Sequence, residues 1–409
     1  MSCCQNDVSL SAYSRGVVPM SLSLVAALAL MQTAAPTPAP PPAPASDSDI
    51  VVRGKRTAAA LAACIDRQCP TEDDVRLSIA HAESQFAEGK YRDARSTLQQ
   101  SISRNRDAAP RLPRHVAALH EAYSTVSLHY GDMDDYQRAM SNQAEVLRSY
   151  LPDNATEVQL LPIRLGDASL KRGYPYEARR QYRSAEREYR ERGEHRLAAV
   201  AALRRATLDI AQGNPSLARE VLHEVDTGPA ANDPAISTYS AVLATRVDIS
   251  KGDDAAVDRL LTALRTDPAG PPLLLDEAVG PASLASAKRP TQRALELRAE
   301  MMQARGSTPI QWADIGFMVT PDGSVGDVEV LRGNRMLGWT KPIVEQVASR
   351  RYAPIALEPG HPGLYRVERF TLRAPRALQT GSIIKGPTGP VTLEILDLTR
   401  STTTTPPPA

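Results

Sequence analysis

From Thr71 to Asp267 apolar residues recur at helical spacing. Val75, Ile79, Ala82 and Phe86 share one face at i, i+4, i+7 and i+11, and Tyr91, Ala94, Leu98 and Ile102 resume the periodicity after Gly89-Lys90. The pattern predicts two antiparallel helices meeting at Gly89. The same punctuation returns at Gly131, Gly173, Gly213 and Gly252, at intervals of 42, 42, 40 and 39 residues. Each glycine leads through an acidic residue, a proline or an aromatic into an apolar helix face: GKYRDA at 89, GDMDDYQRA at 131, GYPYEA at 173, GNPSLA at 213 and GDDAAV at 252. A fixed period of this size is the mark of stacked helical hairpins. Thr71 is expected to cap the first of them, with Glu72, Asp73 and Asp74 in the first turn, where the helix dipole favours acids. Pro162, inside the apolar stretch Leu160 to Leu165, must start a helix in its first turn or kink one.

The period then changes. After a Pro/Gly-bounded stretch and a predicted helix from Arg293 to Ala304, strict alternation sets in. Ala313, Ile315, Phe317 and Val319 point one way, Trp312, Asp314, Gly316 and Met318 the other. Pro321-Asp322-Gly323 turns the chain into a second strand at about Ser324 to Arg332. Val325 and Val328 are an odd number apart, so both reach a core only if the strand bulges near Gly326. Thr340 and Pro342 open a short helix with Ile343, Val344 and Val347 as its buried stripe, and RYAP at 351–354 closes it. Residues 363–374 read as a third strand with Arg366 and Glu368 outward. The tail from Gln379 holds turns, a short strand at Thr392 to Leu396 and STTTTPPPA, a composition that argues for solvation. The predicted fold class is mainly α: an antiparallel helix-hairpin solenoid followed by a small α+β domain.

The N-terminus reads as an export signal. Arg15 precedes an apolar run from Val17 to Met31, followed by Gln32-Thr33-Ala34-Ala35, with cleavage expected near Ala35. The run is short for a bilayer span, although its retention would make it an anchor, and Met20 is an alternative start. Residues 36–46, PTPAPPPAPAS, predict an extended linker. In an oxidising compartment Cys64 and Cys69 of CIDRQC are expected to form a local disulfide, which requires a break in the helix between them; two unpaired thiols are the alternative. The expected domains are 1–35 signal peptide, 36–70 linker with the Cys pair, 71–267 helical repeats, 268–305 linker with helix, 306–376 α+β domain and 377–409 tail.

The repeat blocks resemble tetratricopeptide repeats in the turn glycine, the aromatic at Tyr91, Tyr136 and Tyr176, and the small residue at Ala94, Ala139, Ala178 and Ala218. The period departs from that family's 34, no early Trp is present, and Val257 stands where Ala is expected. Residues 310–374 resemble the C-terminal domain of the energy transducer TonB, carried by Phe317, Val319, Asp322, Gly323, Val325, Val328, Val330, Tyr352 and Pro354. Gly333-Asn334-Arg335 replaces that family's Ser-Ser-Gly. The first resemblance implies a concave surface for peptides or proteins, and the second implies binding by strand addition at a sheet edge. Asp49 to Gly54, DIVVRG, resembles the strand-forming segment of TonB-dependent outer-membrane receptors, which implies that Ile50-Val51-Val52 docks on the C-terminal sheet or on a neighbour's sheet; an ordinary disordered leader is the competing reading. Tyr176, Arg179 and Arg183 are groove candidates; the competing reading makes the tyrosines packing residues and the arginine row a solvated face alternating with Glu177, Glu186, Glu188 and Glu191.

Composition narrows the partners. With 48 Lys+Arg against 47 Asp+Glu the 409-residue chain is nearly neutral, without the basic excess that phosphate neutralisation demands. Aromatics make up 4 %, in keeping with close-packed Ala-rich helices. Seven scattered His form no HExxH, no GxSxG or phosphate loop occurs, and the pairs Asp73/Asp74, Asp134/Asp135 and Asp253/Asp254 stand where capping explains them. The sequence therefore predicts an exported, non-catalytic scaffold without metal or cofactor, whose partners are proteins or extended peptides and not nucleic acid. The alternative is an envelope-anchored accessory of TonB-dependent transport, with outer-membrane receptor segments as partners.

Overall fold

The stacked helices begin earlier than the repeat pattern does. In the computed structural model, which describes residues 47–253, 255–263, 274–277, 310–334, 337–355, 357–358, 360–378, 385–387 and 391–399, the first helix, α1, covers Asp47–Asp66. Asp49 to Gly54 is therefore helical backbone, and the expected docking strand is not formed. The signal segment, the Pro/Ala run, the Arg293–Ala304 helix and the last ten residues lie outside the described residues. Gln68, with φ +51°, ends the turn after α1, and the Cα atoms of Cys64 and Cys69 come to 5.0 Å, joined by a disulfide. This is the break the pairing required.

The hairpins follow: α2 (Thr71–Ala87) with α3 (Tyr91–Asn105), α4 (Pro113–Tyr130) with α5 (Met133–Tyr150), the short α6 (Thr156–Gln159), α7 (Leu161–Lys171) with α8 (Pro175–Glu191), α9 (His195–Ala211) with α10 (Pro215–Asp226), and α11 (Pro234–Ser250) with α12 (Ala256–Ala263). Each hairpin turns at one of the five predicted glycines, all in the left-handed region with φ from +74° to +90°, where any Cβ is strained. Gly193 does the same between α8 and α9. Prolines open α4, α8, α10 and α11, and Pro162 lies in the first turn of α7, where their missing N–H costs nothing. The cap of α2 is Pro70, without a side-chain hydrogen bond; Thr71 is the first helical residue instead.

Ala94, Ala139, Ala178 and Ala218 are all buried at the entry to the second helices, where small side chains let backbones approach. Tyr91 and Tyr136 are buried too, but Tyr176 is 83 % exposed. Its packing place is taken by Tyr182 and Tyr189, both fully buried; the Tyr182 ring fills the space where Gly166 lacks a Cβ. The acidic pairs do more than cap. Asp74 accepts from Arg104, Asn105 and Ser78. Burial works against its ionisation, yet these hydrogen bonds outweigh it and hold the carboxyl below the usual range. Asp135 likewise joins Arg95, Tyr123 and Arg138. On α8, Glu186 is buried between Arg190 and Arg205, so the arginine row is not wholly a solvated face.

The C-terminal part contains the expected β-β-α-β order. Strands β2 (Gln311–Val319), β3 (Val325–Gly333), β5 (Leu364–Arg373) and β8 (Thr392–Asp397) form an antiparallel sheet of order β3-β2-β5-β8. The register shifts between Gly316 and Met318 opposite Gly326 to Glu329, and Asp327 takes φ +51°. This bulge lets Val325, Val328 and Val330 all pack on the same core. Helix α13 (Lys341–Ala348) buries Ile343 and Val347; Thr340 stands at its cap but turns its hydroxyl to the Leu337 carbonyl. Strand β1 (Leu274–Glu277), from the stretch expected to be linker, pairs with β4 (Arg350–Tyr352), and β6 (Arg376–Leu378) with β7 (Lys385–Pro387). The tail is thus partly structural: β8 completes the sheet. Glu368 does not point outward. It is 6 % exposed and accepts from buried Arg350 at 2.9 Å, while Arg366 pairs with Asp397.

Candidate functional site

The sheet is covered on both faces. Ala313, Ile315, Phe317, Val319, Phe370 and Ile395 pack with Ile343, Val347, Trp339 and Tyr352. The opposite face is laid on the turn ends of the first two hairpins and reaches Lys171 at the end of α7. Here Arg369, completely buried, holds Asp314 through Nε at 2.6 Å and Nη2 at 2.9 Å. The same guanidinium donates to the Phe86 and Ala87 carbonyls and lies 4.0 Å from the Trp312 ring centroid and 5.0 Å from that of Phe86. These carbonyls stand at the negative end of the α2 dipole, where the Phe86 carbonyl also accepts the Gly89 amide at 2.9 Å, so a cation is a favoured further donor. A Cβ at Gly89 would run into the Trp312 indole, and one at Gly131 into the Ala374 carbonyl. The Gly131 carbonyl also accepts from the Arg376 amide at 2.8 Å.

Polar contacts extend the docking. His129 Nδ1 and the Thr371 hydroxyl share a hydrogen bond at 2.8 Å. Glu394 takes Lys171 and Arg373, each at 2.6 Å, and Lys385 reaches Asp132 at 2.7 Å and Asp134 at 3.1 Å. Burial, reinforced by Lys171, Arg373 and Arg369, holds the His129 imidazole well below its usual range and hence uncharged. At the far end Arg246 donates to the Leu274 carbonyl at 3.0 Å, and Val242 and Leu260 cluster with Ala353.

The α9/α10 hairpin is left out of this contact. Nothing lies within 4 Å of a Cβ built at Gly173 or Gly213. Beside these turns Tyr176, Arg179, Gln212, Asn214 and Leu217 line an open depression of about 400 Å³. Tyr174 and Leu217 are half-exposed, and Arg172 stacks 4.8 Å from the Tyr174 ring centroid. Arg179 is fixed by Asp209 and by Gln212, so it presents a positioned rather than a free cation. Arg183 is exposed but does not line the depression. Gln212, Asn214 and Leu217 escaped the sequence reading. One sign was available: Ala218, Val221, Leu222 and Val225 form the buried stripe of α10, and Leu217 is an apolar residue out of phase with it.

The positions at 317, 322, 323, 352 and 354 that the sequence singled out serve the fold. Phe317 and Tyr352 are buried in the sheet core. Asp322 accepts from Thr320 and Ser324, whose hydrogen bonds bring its carboxyl down to about 2. Gly323, with φ +83°, accepts the Tyr352 amide at 2.8 Å, and Pro354 is half-buried next to it. Among the described residues no group of three or more His, Cys, Asp or Glu side chains is arranged to hold a metal ion, and no helix is long and apolar enough to cross a membrane.

No family model and no curated protein matches the chain. Among solved structures it is similar to BtubC (BKLC) from P. vanneervenii, at 14 % identity over 57 % of this chain and 100 % of that one, with TM-score 0.40. It is also similar to NprR in complex with its cognate peptide NprX, at 12 % identity over 54 % of this chain and 63 % of that one, with TM-score 0.34. The chain is a helical-hairpin solenoid carrying a small α+β domain.

Proposed function

We propose that the protein is an exported, non-catalytic interaction scaffold, in which a tetratricopeptide-like solenoid offers the depression at Tyr176 and Leu217 to an extended peptide segment of a protein partner. The observation that carries this reading is the exposure of two tyrosines and a leucine around Arg179, Gln212 and Asn214, at the turns that the C-terminal sheet leaves uncovered. Exposed aromatic and aliphatic groups beside fixed polar donors are what a peptide needs for affinity and orientation. The buried charges are taken up in ion pairs, within each half of the chain and across the contact in Lys171–Glu394 and Lys385–Asp132, which supports a structural use for them. Export to the periplasm rests on Arg15, the apolar run and Ala35.

Capture from envelope extracts with the intact protein and with a Tyr176→Ser/Leu217→Ser double variant tests it. A partner retained by the first and lost by the second is the expected result; an identical set with both would overturn the site.

A second reading, an envelope-anchored accessory of TonB-dependent transport, is supported by the strand order, in which the TonB-like sheet ends on β3. An outer-membrane receptor segment would add there as a further strand. The bulge at Gly326-Asp327 and the charges of Asp327, Glu329 and Arg332 discourage indiscriminate pairing at that edge. N-terminal sequencing separates the two readings: a start near residue 36 favours the first, and an intact, membrane-extracted N-terminus the second.

A further inference from the structure

We infer that the contact between the C-terminal sheet and the solenoid is an acid-sensitive latch with His129 as its trigger. His129 ends α4 at the middle of the docked face and is 2 % exposed. Its surroundings offer shape and one hydrogen bond, to a hydroxyl and not to a carboxylate. From α2 the Phe86 ring meets it edge-on at 5.1 Å, and from α3 the Tyr91 ring stacks at 6.5 Å. From β5 the Thr371 hydroxyl, itself 3.5 Å from the Tyr91 hydroxyl, shares the hydrogen bond. The charges that act on it are Lys171 from α7 and Arg373 and Arg369 from β5.

The two nearby acids are already shared: Glu394 of β8 lies between Lys171 and Arg373, and Asp314 of β2 between Arg369 and Arg332. Tyr136 of α5, buried beside Glu394 and Arg373, supplies no charge, because burial pushes its hydroxyl far up. On α4 itself the neighbouring Tyr130 is engaged by Arg95 and Arg376. A proton on the docked imidazole would thus add a cation to a buried site where three cations already face two acids.

The sign follows from linkage. The docked imidazole has its pKa below the ordinary 6.5, so it stays neutral as pH falls, whereas an imidazole freed into water binds a proton near 6.5. The open form is therefore favoured below that value, up to tenfold per pH unit, which makes roughly thirtyfold at pH 5. Above about pH 7.5 the contribution vanishes. Opening would expose the turn ends of the first two hairpins together with the facing side of the sheet, a second surface that the closed chain hides.

The test uses the full chain with a thiol reporter in the latch, Leu396→Cys, at a position 2 % exposed on the docked face. A reference thiol, Ala202→Cys, lies in the solenoid core on α9. Labelling rates, corrected for thiolate fraction, give the open population between pH 7.5 and 5.0. The expected result is a rise of roughly thirtyfold at 396 without the same rise at 202. His129→Gln should flatten the profile, whereas His120→Gln, at a buried histidine of the same helix, should keep it. A flat wild-type profile, equal rises at both thiols, or an unchanged slope in His129→Gln would overturn the proposal. Should the variants fail to fold, ring NMR of wild-type His129 decides: a neutral ring down to pH 5 supports the latch, and titration near 6.5 in the closed chain excludes it.

Discussion

Two sets of hairpin turns, built alike in sequence, have different work to do. Gly89 and Gly131 take left-handed conformations and also leave the space into which Trp312 and the Ala374 carbonyl press. Gly173 and Gly213 take the same conformations, and nothing comes near them. At the first pair the chain covers its own repeat surface; at the second it leaves tyrosines and a leucine to solvent. A turn glycine therefore reports the backbone conformation everywhere, but a tertiary contact only where a second element arrives. The exposed set is where a partner has room, and the covered set is where the chain supplies its own.

Substitutions can break that comparison in graded steps. Arg369→Ala should have the largest effect, about 3 kcal/mol or more by chemical denaturation, because it leaves Asp314 buried with only Arg332 and deprives the Ala87 carbonyl of its donor. Gly89→Ala should cost about 3 kcal/mol, combining positive-φ strain with overlap on the indole, whereas Gly213→Ala carries the strain alone, about 1 kcal/mol. Equal losses at the two glycines would erase the distinction between covered and open turns. Tyr176→Ser should change stability by no more than about 0.5 kcal/mol while reducing partner capture, as expected of an exposed residue kept for binding.

Much of this architecture is legible in the chain itself. The five glycines, the alanines at the second helices, the bulge at Gly326, the break between Cys64 and Cys69 and the α+β order after residue 310 all follow from local pattern, because each is set by backbone geometry within a few residues. What escapes is non-local. Alternation divides β2 into two faces but cannot tell that Trp312 and Asp314 meet a solenoid instead of water. The same blindness places Glu368 outward, although the Arg350 that receives it lies 18 residues away. The short strand at Thr392 to Leu396 is legible, but its place beside β5 at the edge of the sheet is not, and Asp49 to Gly54, six residues of strand-like character, is overridden by the helix it joins. In the open depression, Tyr176 and Arg179 are visible as chemistry, while Gln212 and Asn214 reach it only through the packing of one hairpin against the next.

Through the Arg369, His129 and Glu394 contacts the sheet and the solenoid should unfold as one cooperative body. Both tryptophans, Trp312 and Trp339, belong to the α+β domain, whereas far-ultraviolet dichroism reports chiefly the solenoid helices. Equilibrium unfolding of the intact chain at pH 7.5, followed by both signals, is the direct measurement. Coincident transitions that move together in Arg369→Ala are the predicted result; two separated transitions, with only the fluorescence curve displaced by the substitution, would contradict it.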